Sequence, residues 1–504
     1  MKKKNEKINQ EISCKVEVYK CAHCHDAPCI KMYKNINPDR IIRAIKFDNI
    51  KGARYLIKND KNCLKKNTNN NSKCPLKVNI DSIIQHLLNN VSKVSDIENV
   101  NLKTEICGVK LENPFVLSSS IVGSSYEMIK RAFKLGWAGV TTKTICMMQI
   151  DESSPRLSAM KDWDNSFIGF KNIEQLSEYT VEENLEMIRR LKKDFPKKIV
   201  IASIMGRDDE EWEYLTKEVT KAGADLIELN FSCPNMKYKK TGSDVGQDPK
   251  SVKHFTEVVR KSTKIPIIAK LTPNITDMTI PAIAAKEGGA NAISAINTIK
   301  SITGVDSNSF VPEPQVNNKS SLGGYSGRAV KPIALRFIAQ MTKCENLKDM
   351  YFSGMGGIYT WRDALEYMLL GCSCVECTTS VMEYGYRIID DLILGLKIYM
   401  KEKNFKKVSD FIGLAKDNLV PNDMLDKDTI EYPKFDYDKC IGCGRCYISC
   451  RDGGHNAVIF DKDRIPSIDY SKCVGCQLCK LVCPTLAITR ATKRTLINDI
   501  EKND

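Results

Sequence analysis

The chain has 504 residues, 42% of them hydrophobic, which is enough for two to four domains and at least one large core. Its net charge of +14 comes from 76 basic and 62 acidic residues interleaved along amphipathic segments, which argues against nucleic-acid binding; the one plain basic run, Met1-Lys2-Lys3-Lys4, is short. No stretch approaches the roughly 18 uninterrupted apolar residues of a membrane span. No secretory signal is recognised, so the twenty-one cysteines are read as thiols of a reducing cytoplasm and as metal ligands rather than as disulfides.

Residues 1–95 are rich in Lys and Asn and carry six cysteines. Ile36 to Asn49 and Ile80 to Asn90 have helical apolar spacing, and a polar low-complexity loop, Lys65 to Lys73, lies between them. Cys21-x2-Cys24-x4-Cys29 offers three thiolates, with Cys63 and Cys74 isolated beyond. A partial cluster, or four ligands with a distant Cys, is one reading; the preferred one is a helical scaffold that has lost its clusters.

From residue 96 the rhythm changes. Leu102 to Leu111 holds two short strands around Gly108. Eight short apolar runs then alternate with helical segments: Phe115–Ser119, Gly139–Thr142, Ile199–Ile204, Asp225–Asn230, Ile267–Leu271, Ala292–Ile296, Met350–Ser353 and Ser373–Cys377. That alternation predicts an α/β fold, a (β/α)8 TIM barrel over 96–400. No G-x-G-x-x-G follows any strand, so no dinucleotide-binding domain is expected. Residues 401–432 read as a linker.

The barrel's strand ends carry its chemistry. Asn230-Phe231-Ser232-Cys233-Pro234 closes the fourth strand with an amide, a hydroxyl and a thiol whose free pKa is about 8.5, suited to proton transfer. Asn235 to Val245 follow as a polar loop expected to close over the site. Lys143 and Lys270 end the second and fifth strands, and Asn297-Thr298 the sixth. Gly354-Met355-Gly356-Gly357 and Thr378-Thr379 follow the seventh and eighth, where barrels often bind phosphate.

From 433 to 504 a third unit carries Cys440-x2-Cys443-x2-Cys446-x3-Cys450 and Cys473-x2-Cys476-x2-Cys479-x3-Cys483-Pro484. This is the two-cluster ferredoxin spacing, in which the fourth Cys of each run ligates the other cluster. Cys440, Cys443, Cys446 and Cys483 are expected to hold one [4Fe–4S] cluster, and Cys473, Cys476, Cys479 and Cys450 the second. Structural zinc is the alternative for CxxC pairs, but the doubled spacing argues against it.

Asn113-Pro114-Phe115, Thr142-Lys143-Thr144, Asn172-Ile173-Glu174, the Asn230–Pro234 stretch, Gly246-Gln247-Asp248-Pro249, Ala269-Lys270-Leu271-Thr272-Pro273-Asn274 and Asn297-Thr298 together resemble dihydropyrimidine dehydrogenase over about residues 97 to 490. The barrel is also similar to that of dihydroorotate dehydrogenases. Cys21 to Cys29 look like that enzyme's amino-terminal iron–sulfur region, but Tyr33 occupies the next ligand position. The FAD and NADPH domains of the long enzyme are missing. The resemblance implies FMN bound by Ser118, Ser119, Lys143, Thr144, Lys270, Gly324, Gly356, Gly357, Thr378 and Thr379. It implies a pyrimidine held by Asn172, Glu174, Asn230, Ser232, Asn297 and Thr298.

The implied reaction is reduction of the 5,6 double bond of uracil or thymine. Electrons would enter through the ferredoxin clusters, FMN N5 would supply hydride, and Cys233 the proton. The implied partner is a separate FAD- and NAD(P)-binding reductase subunit, or a ferredoxin, in a homo-oligomer or heterotetramer. A dihydroorotate dehydrogenase, and a non-catalytic iron–sulfur electron-transfer subunit, are the rival readings.

Overall fold

A computed structural model describes residues 14–57, 73–94, 96–234, 236, 241–490 and 495–496. The chain divides into a large unit, Val16–Asp417, and a second unit of which residues 418–490 form the main described part.

The large unit is a closed barrel of eight parallel strands: β1 (Phe115–Leu117), β2 (Gly139–Thr141), β3 (Ile199–Ile204), β4 (Leu226–Phe231), β5 (Ile267–Leu271), β6 (Ala292–Ala295), β7 (Tyr351–Met355) and β8 (Cys374–Cys377). Each strand pairs with its neighbour in sequence, and β8 closes onto β1 through Val375 beside Phe115 and Cys377 beside Leu117. The strands are short and almost wholly buried, as a sheet covered on both faces must be. A helix follows each one before the next, from Tyr126–Leu135 after β1 to Ile389–Lys403 after β8. Several of these helices start on caps legible in the sequence. Thr180 and Thr360 form capping boxes with Glu183 and Asp363, and Asp248 caps Pro249–Ser262 with proline at its first position.

The barrel interior changes character along its axis. At the amino-terminal end, the hairpin Thr104–Ile106 and Val109–Leu111 plugs the opening. Its Ile106 and Leu111 pack with Val116, Ile201, Leu226, Ile268 and Ala292, an apolar cluster in which each buried side chain contributes about 1.5–3 kcal/mol. Above it lie buried polar residues, and above those the cleft at the carboxy-terminal end. A four-stranded antiparallel sheet made by Leu157–Lys161, Phe167–Asn172, Ile299–Ser301 and Gly323–Ser326 stands beside that end. It is built from the long connections after β2 and β6, which periodicity alone did not resolve into strands.

The amino-terminal region contributes helices Pro38–Lys46, Ile50–Leu56 and Ile80–Asn90, and it packs into the same unit as the barrel. Arg43 Nε donates to Asp391 Oδ2 at 2.5 Å, with both side chains buried, and Arg387 Nη2 donates to the His23 carbonyl at 2.6 Å. No described helix is long and apolar enough to cross a membrane.

In the second unit, Pro433–Phe435 pairs with Ile488–Arg490, Val458–Phe460 pairs with Pro466–Ile468, and the helices Arg445–Gly453 and Leu478–Leu481 carry cysteines.

Candidate active site and cluster sites

The cleft at the carboxy-terminal ends of the strands has about 1070 Å³ of free space, mouth included, which suits a cofactor and a small substrate together. The structure brings together fifteen of the seventeen residues assigned above to cofactor, pyrimidine or proton transfer. Ser118, Ser119, Lys143, Thr144, Asn172, Glu174, Asn230, Cys233, Lys270, Asn297, Thr298, Gly356, Gly357, Thr378 and Thr379 all line it.

The other two lie just behind the wall. Gly324 pairs with Asn172 across the antiparallel sheet, and a Cβ there would collide with the Thr298 hydroxyl, so glycine lets sheet and strand end close up. Ser232 is fully buried. Its hydroxyl donates to Asn230 Oδ1 at 2.8 Å and accepts from Asn297 Nδ2 at 2.7 Å. It holds two asparagines rather than facing the cleft.

The polar wall is ordered before any ligand arrives. Asn230 Nδ2 donates to Thr144 Oγ1 at 2.8 Å, and Thr144 in turn lies 2.9 Å from Ser203 Oγ and 3.2 Å from Ser119 Oγ. Cys233 follows Asn230 and Ser232 at the end of β4 and is buried. Of the loop from Asn235 to Val245, expected to close the site, residues 235 and 237–240 lie outside the described residues; Ser243–Gly246 forms a short helical turn. Glu174 lines the cleft 3.8 Å from Arg156.

The donor set fits FMN. Lys143 Nζ is buried with no hydrogen-bond partner among the described residues, which calls for an anionic or acceptor ligand atom. Lys270 Nζ lies on the floor, 3.4 Å from Ser118 Oγ and 3.5 Å from Glu228. At the other end, Gly357 has φ of +70°, and a Cβ there would sit 2.8 Å from that of Lys331, so only glycine exposes this turn of backbone after β7. Thr378 begins the helix Thr379–Tyr384, and its hydroxyl and that of Thr379 lie 3.1 and 2.9 Å from Ser120 and Ser326. Strand-end reasoning did not single out Ser120, Phe170, Ser326, Tyr359 or Met382, which also line the cleft. The first three come from a loop or from the unforeseen sheet.

The second unit has two small cavities. One is lined by Cys440, Cys443, Cys446 and Cys483, the other by Cys450, Cys473, Cys476 and Cys479, in the crossed pairing expected from the spacing. Backbone N–H groups of Gly442, Ala457 and Ala487 already point at the sulfurs of Cys440, Cys450 and Cys483, at 3.4, 3.3 and 3.2 Å. Such donors stabilise thiolate ligands and tune a cluster's potential.

Cys74, isolated in sequence, is the distant Cys of the alternative reading: it lines a third cavity together with Cys21, Cys24 and Cys29. Mouths included, the three cysteine cavities measure about 330, 350 and 320 Å³, so the amino-terminal one matches the other two in size. Burial raises the Cys29 thiol to about 11, with the neighbouring Cys21 adding to it, so a metal would have to displace protons on binding. His23 lies 3.7 Å from Cys21 and 3.1 Å from Asp39. Tyr33 is buried, its hydroxyl donating to Asp81 at 2.6 Å, where a further ligand had been sought. Cys63 lies outside the described residues.

An eight-stranded barrel with a cationic, amide-lined cleft, joined to an eight-cysteine two-cluster unit, defines a flavin- and iron–sulfur-dependent oxidoreductase. The dihydroorotate dehydrogenase family profile matches residues 101–400, and a 4Fe-4S dicluster domain matches 434–490. The chain is 52% identical to the NAD-dependent dihydropyrimidine dehydrogenase subunit PreA of Escherichia coli K12, over 71% of this chain and 87% of that one. It is 39% identical to the chloroplastic dihydropyrimidine dehydrogenase (NADP(+)) of Arabidopsis thaliana, over 62% and 76%. It is 38% identical to the catalytic subunit of dihydroorotate dehydrogenase B (NAD(+)) of Pyrococcus horikoshii, over 62% and 97%. The chain belongs to the dihydropyrimidine dehydrogenase family within the dihydroorotate dehydrogenase barrels, oxidoreductases that act on CH–CH groups with FMN and [4Fe–4S] clusters.

Proposed function

We propose that the chain reduces the 5,6 double bond of uracil or thymine, with Cys233 as the proton donor. The observation that carries this reading is the pair Asn230 and Asn297, fixed by Ser232 beside the Cys233 thiol in a cleft also lined by Asn172. A pyrimidine dione alternates carbonyl and N–H groups, and asparagine amides match both senses. A wall of pre-oriented amides rejects rings that would leave its polar atoms unpaired. FMN, when bound, supplies the hydride. Lys143, Lys270, Ser118, Ser119 and Thr144 would hold its ring, and Gly324, Gly356, Gly357, Thr378 and Thr379 its phosphate end. Cys233 gives its proton to C5, the neighbouring carbon of the double bond, and as a thiol it is largely protonated at neutral pH. Glu174 accepts from a ring N–H; it also sets a carboxylate in the wall that would repel the carboxylate of orotate.

We divide the chain into 1–95, the barrel from 96, and the two-cluster unit over 433–504; of the expected linker 401–432, residues 401–417 go with the large unit, where Val408 and Phe411 are buried in the core. The first part changes character, because Cys21, Cys24, Cys29 and Cys74 surround a cavity able to take a third [4Fe–4S] cluster. We assign electron supply to a separate FAD- and NAD(P)-binding subunit, or to a ferredoxin, because no dinucleotide-binding turn follows any strand. A reducing cytoplasm would keep the ligand thiols available.

The test is anaerobic reduction of the purified protein, then mixing with uracil, thymine or orotate while following flavin absorbance. Reoxidation by uracil or thymine is expected. Reoxidation by orotate alone would make the chain a dihydroorotate dehydrogenase, and NAD(P)H-dependent uracil reduction without added protein would overturn the need for a partner.

A further inference from the structure

Beneath the cleft the even-numbered strands send four polar side chains inward: Thr141 from β2, Glu228 from β4, Ser294 from β6 and Glu376 from β8. Barrel interiors fill in layers of four from alternate strands, usually with branched apolar residues, so two carboxylates in one layer are a departure. Thr141 Oγ1 donates to Glu376 Oε2 at 3.2 Å, and Ser353 Oγ from β7 donates to Oε1 at 2.7 Å. Ser294 Oγ donates to Glu228 Oε2 at 3.1 Å, while Glu228 Oε1 has no hydrogen-bond partner among the described residues. Lys270 Nζ stands 3.5 Å from Glu228, and both Lys270 and Glu376 also line the cleft above. These three ionisable side chains are nearly inaccessible to solvent.

The charges cannot all stand as they would in water. One ammonium beside two buried carboxylates leaves one negative charge uncompensated, which low-dielectric surroundings penalise, so the pair is poised to take up a proton. Burial is the main force raising the Glu376 carboxyl, repulsion from Glu228 adds to it, and Lys270 opposes both. The other titratable groups packed here are the thiols of Cys374, 3.4 Å from Ser353 Oγ, and Cys377; burial raises both, so they stay neutral near pH 7.

We propose that Glu228 and Glu376 form a proton-accepting pair that balances charge in the flavin cleft through Lys270. An electron pair entering the cleft would make the potential at Lys270 and at the carboxylates beneath it more negative. The carboxyl form is then favoured, and Glu376 binds one proton from solvent. When the electron pair leaves on the substrate, that proton is released. Per cycle, two electrons and one proton would go to the flavin ring and leave it together as hydride; Glu376 takes a second proton from solvent on reduction and returns it at reoxidation, and the proton that Cys233 gives to the pyrimidine is replaced from solvent. Glu376 and Glu228 are thus positioning and charge-balancing residues; neither reaches the substrate carbon.

The reading rests on flavin in this cleft, which the absorbance of the isolated protein reports independently of any pyrimidine. The experiment measures the flavin midpoint potential anaerobically across neutral pH, in the wild type, Glu376→Gln and Glu228→Gln. Each proton taken up with an electron pair moves the potential by about 30 mV per pH unit. The wild type should show two protons per pair, and Glu376→Gln one, halving the slope. Glu228→Gln should also lose the second proton, because Glu376 then has Lys270 to itself and stays ionised. Equal slopes in the wild type and Glu376→Gln, or a wild-type slope of one proton, overturn the proposal. If the variants fail to fold or to keep flavin, infrared difference spectra of the wild type decide. Reduction must produce a protonated-carboxyl C=O band that shifts in D2O, and its absence overturns the proposal.

Discussion

Ser232→Ala is the sharpest probe of the substrate wall, because it changes one buried atom that no ligand need touch. The hydroxyl is donor to Asn230 and acceptor from Asn297, at 2.8 and 2.7 Å. Asn230 is otherwise well held: its Nδ2 keeps Thr144, and its Oδ1 keeps the Ser232 backbone N–H at 3.2 Å. Asn297 is the exposed flank of the network. Its Oδ1 still accepts the Thr298 N–H, but its Nδ2 loses a short bond and is free to rotate. A buried group deprived of one partner costs about 1–3 kcal/mol. Taking about 2 kcal/mol for Asn297 and little for Asn230, kcat/KM for uracil should fall about 30-fold. The assay is uracil-dependent reoxidation of the reduced enzyme in a stopped-flow instrument, with flavin content measured on the same sample. Flavin content should not change, since Ser232 lies behind the asparagines and away from Lys143 and Thr378. A kcat/KM within threefold of wild type, or a loss that merely tracks lost flavin, would refute the reasoning.

Cys233→Ala should slow pyrimidine reduction about 10²- to 10⁴-fold, the range for loss of a general acid, with FMN retained; near-normal turnover in steady-state assays would end its assignment as donor. Iron analysis should give about twelve Fe per chain, falling to about eight in Cys74→Ala, if the amino-terminal cavity holds a cluster; about eight in both would restore the view of a scaffold without one. Arg43→Met leaves the Asp391 carboxyl, whose burial already raises it to about 6, without its guanidinium, and should destabilise the large unit by about 3–5 kcal/mol; Arg43→Met with Asp391→Leu should recover much of this in thermal melts. Asp248→Ala should cost about 1 kcal/mol by removing the cap of Pro249–Ser262. The Ser251 hydroxyl leads in holding the Asp248 carboxyl below its ordinary 3.8, so this contribution is complete above that value and lost as pH falls through the lower folded one; the gap between variant and wild type in acid melts should close there and not at neutral pH.

The barrel was legible because its signals are local. Eight apolar runs at strand length, each followed by a helical stretch and several of those helices capped, need no knowledge of what packs against what, and the strands observed overlap all eight. The cysteine pairing of the second unit was legible for a related reason: a covalent spacing rule encodes the crossed ligation of Cys450 and Cys483. The antiparallel sheet beside the cleft escaped because its four strands are three to six residues long; Ile299–Ser301 is too short to show alternation, and Gly323–Ser326 is Gly-Gly-Tyr-Ser. Gly323–Ser326 pairs over a long range with Phe167–Asn172, and its pairing with Ile299–Ser301 is what brings Gly324 against Thr298.

Distance along the chain also hid Cys74 and the glutamate pair. Cys74 stands beyond a low-complexity stretch from the Cys21–Cys29 run, and no spacing rule spans that stretch. Its place at the cavity is set by the fold: Tyr33 donates to Asp81 at the start of the helix Ile80–Asn90, and the backbone N–H of Asn79, which caps that helix, donates to Glu17 at 2.7 Å. These contacts fix the chain just after the Cys74–Lys77 turn against the segments on either side of the Cys21–Cys29 run. Glu228 and Glu376 lie inside runs that read as purely structural, Leu226-Ile227-Glu228-Leu229 and Cys374-Val375-Glu376-Cys377. A lone carboxylate in an apolar strand normally marks a solvent-facing edge, and only closure of the barrel turns both of these inward, Glu228 against Lys270 and Glu376 onto the hydroxyls of Thr141 and Ser353. Residues whose partners lie one strand over can be found by alternation and strand-end chemistry. Residues whose partners lie across the barrel, as Thr141 and Glu376 do, become visible only when the ring of strands is closed.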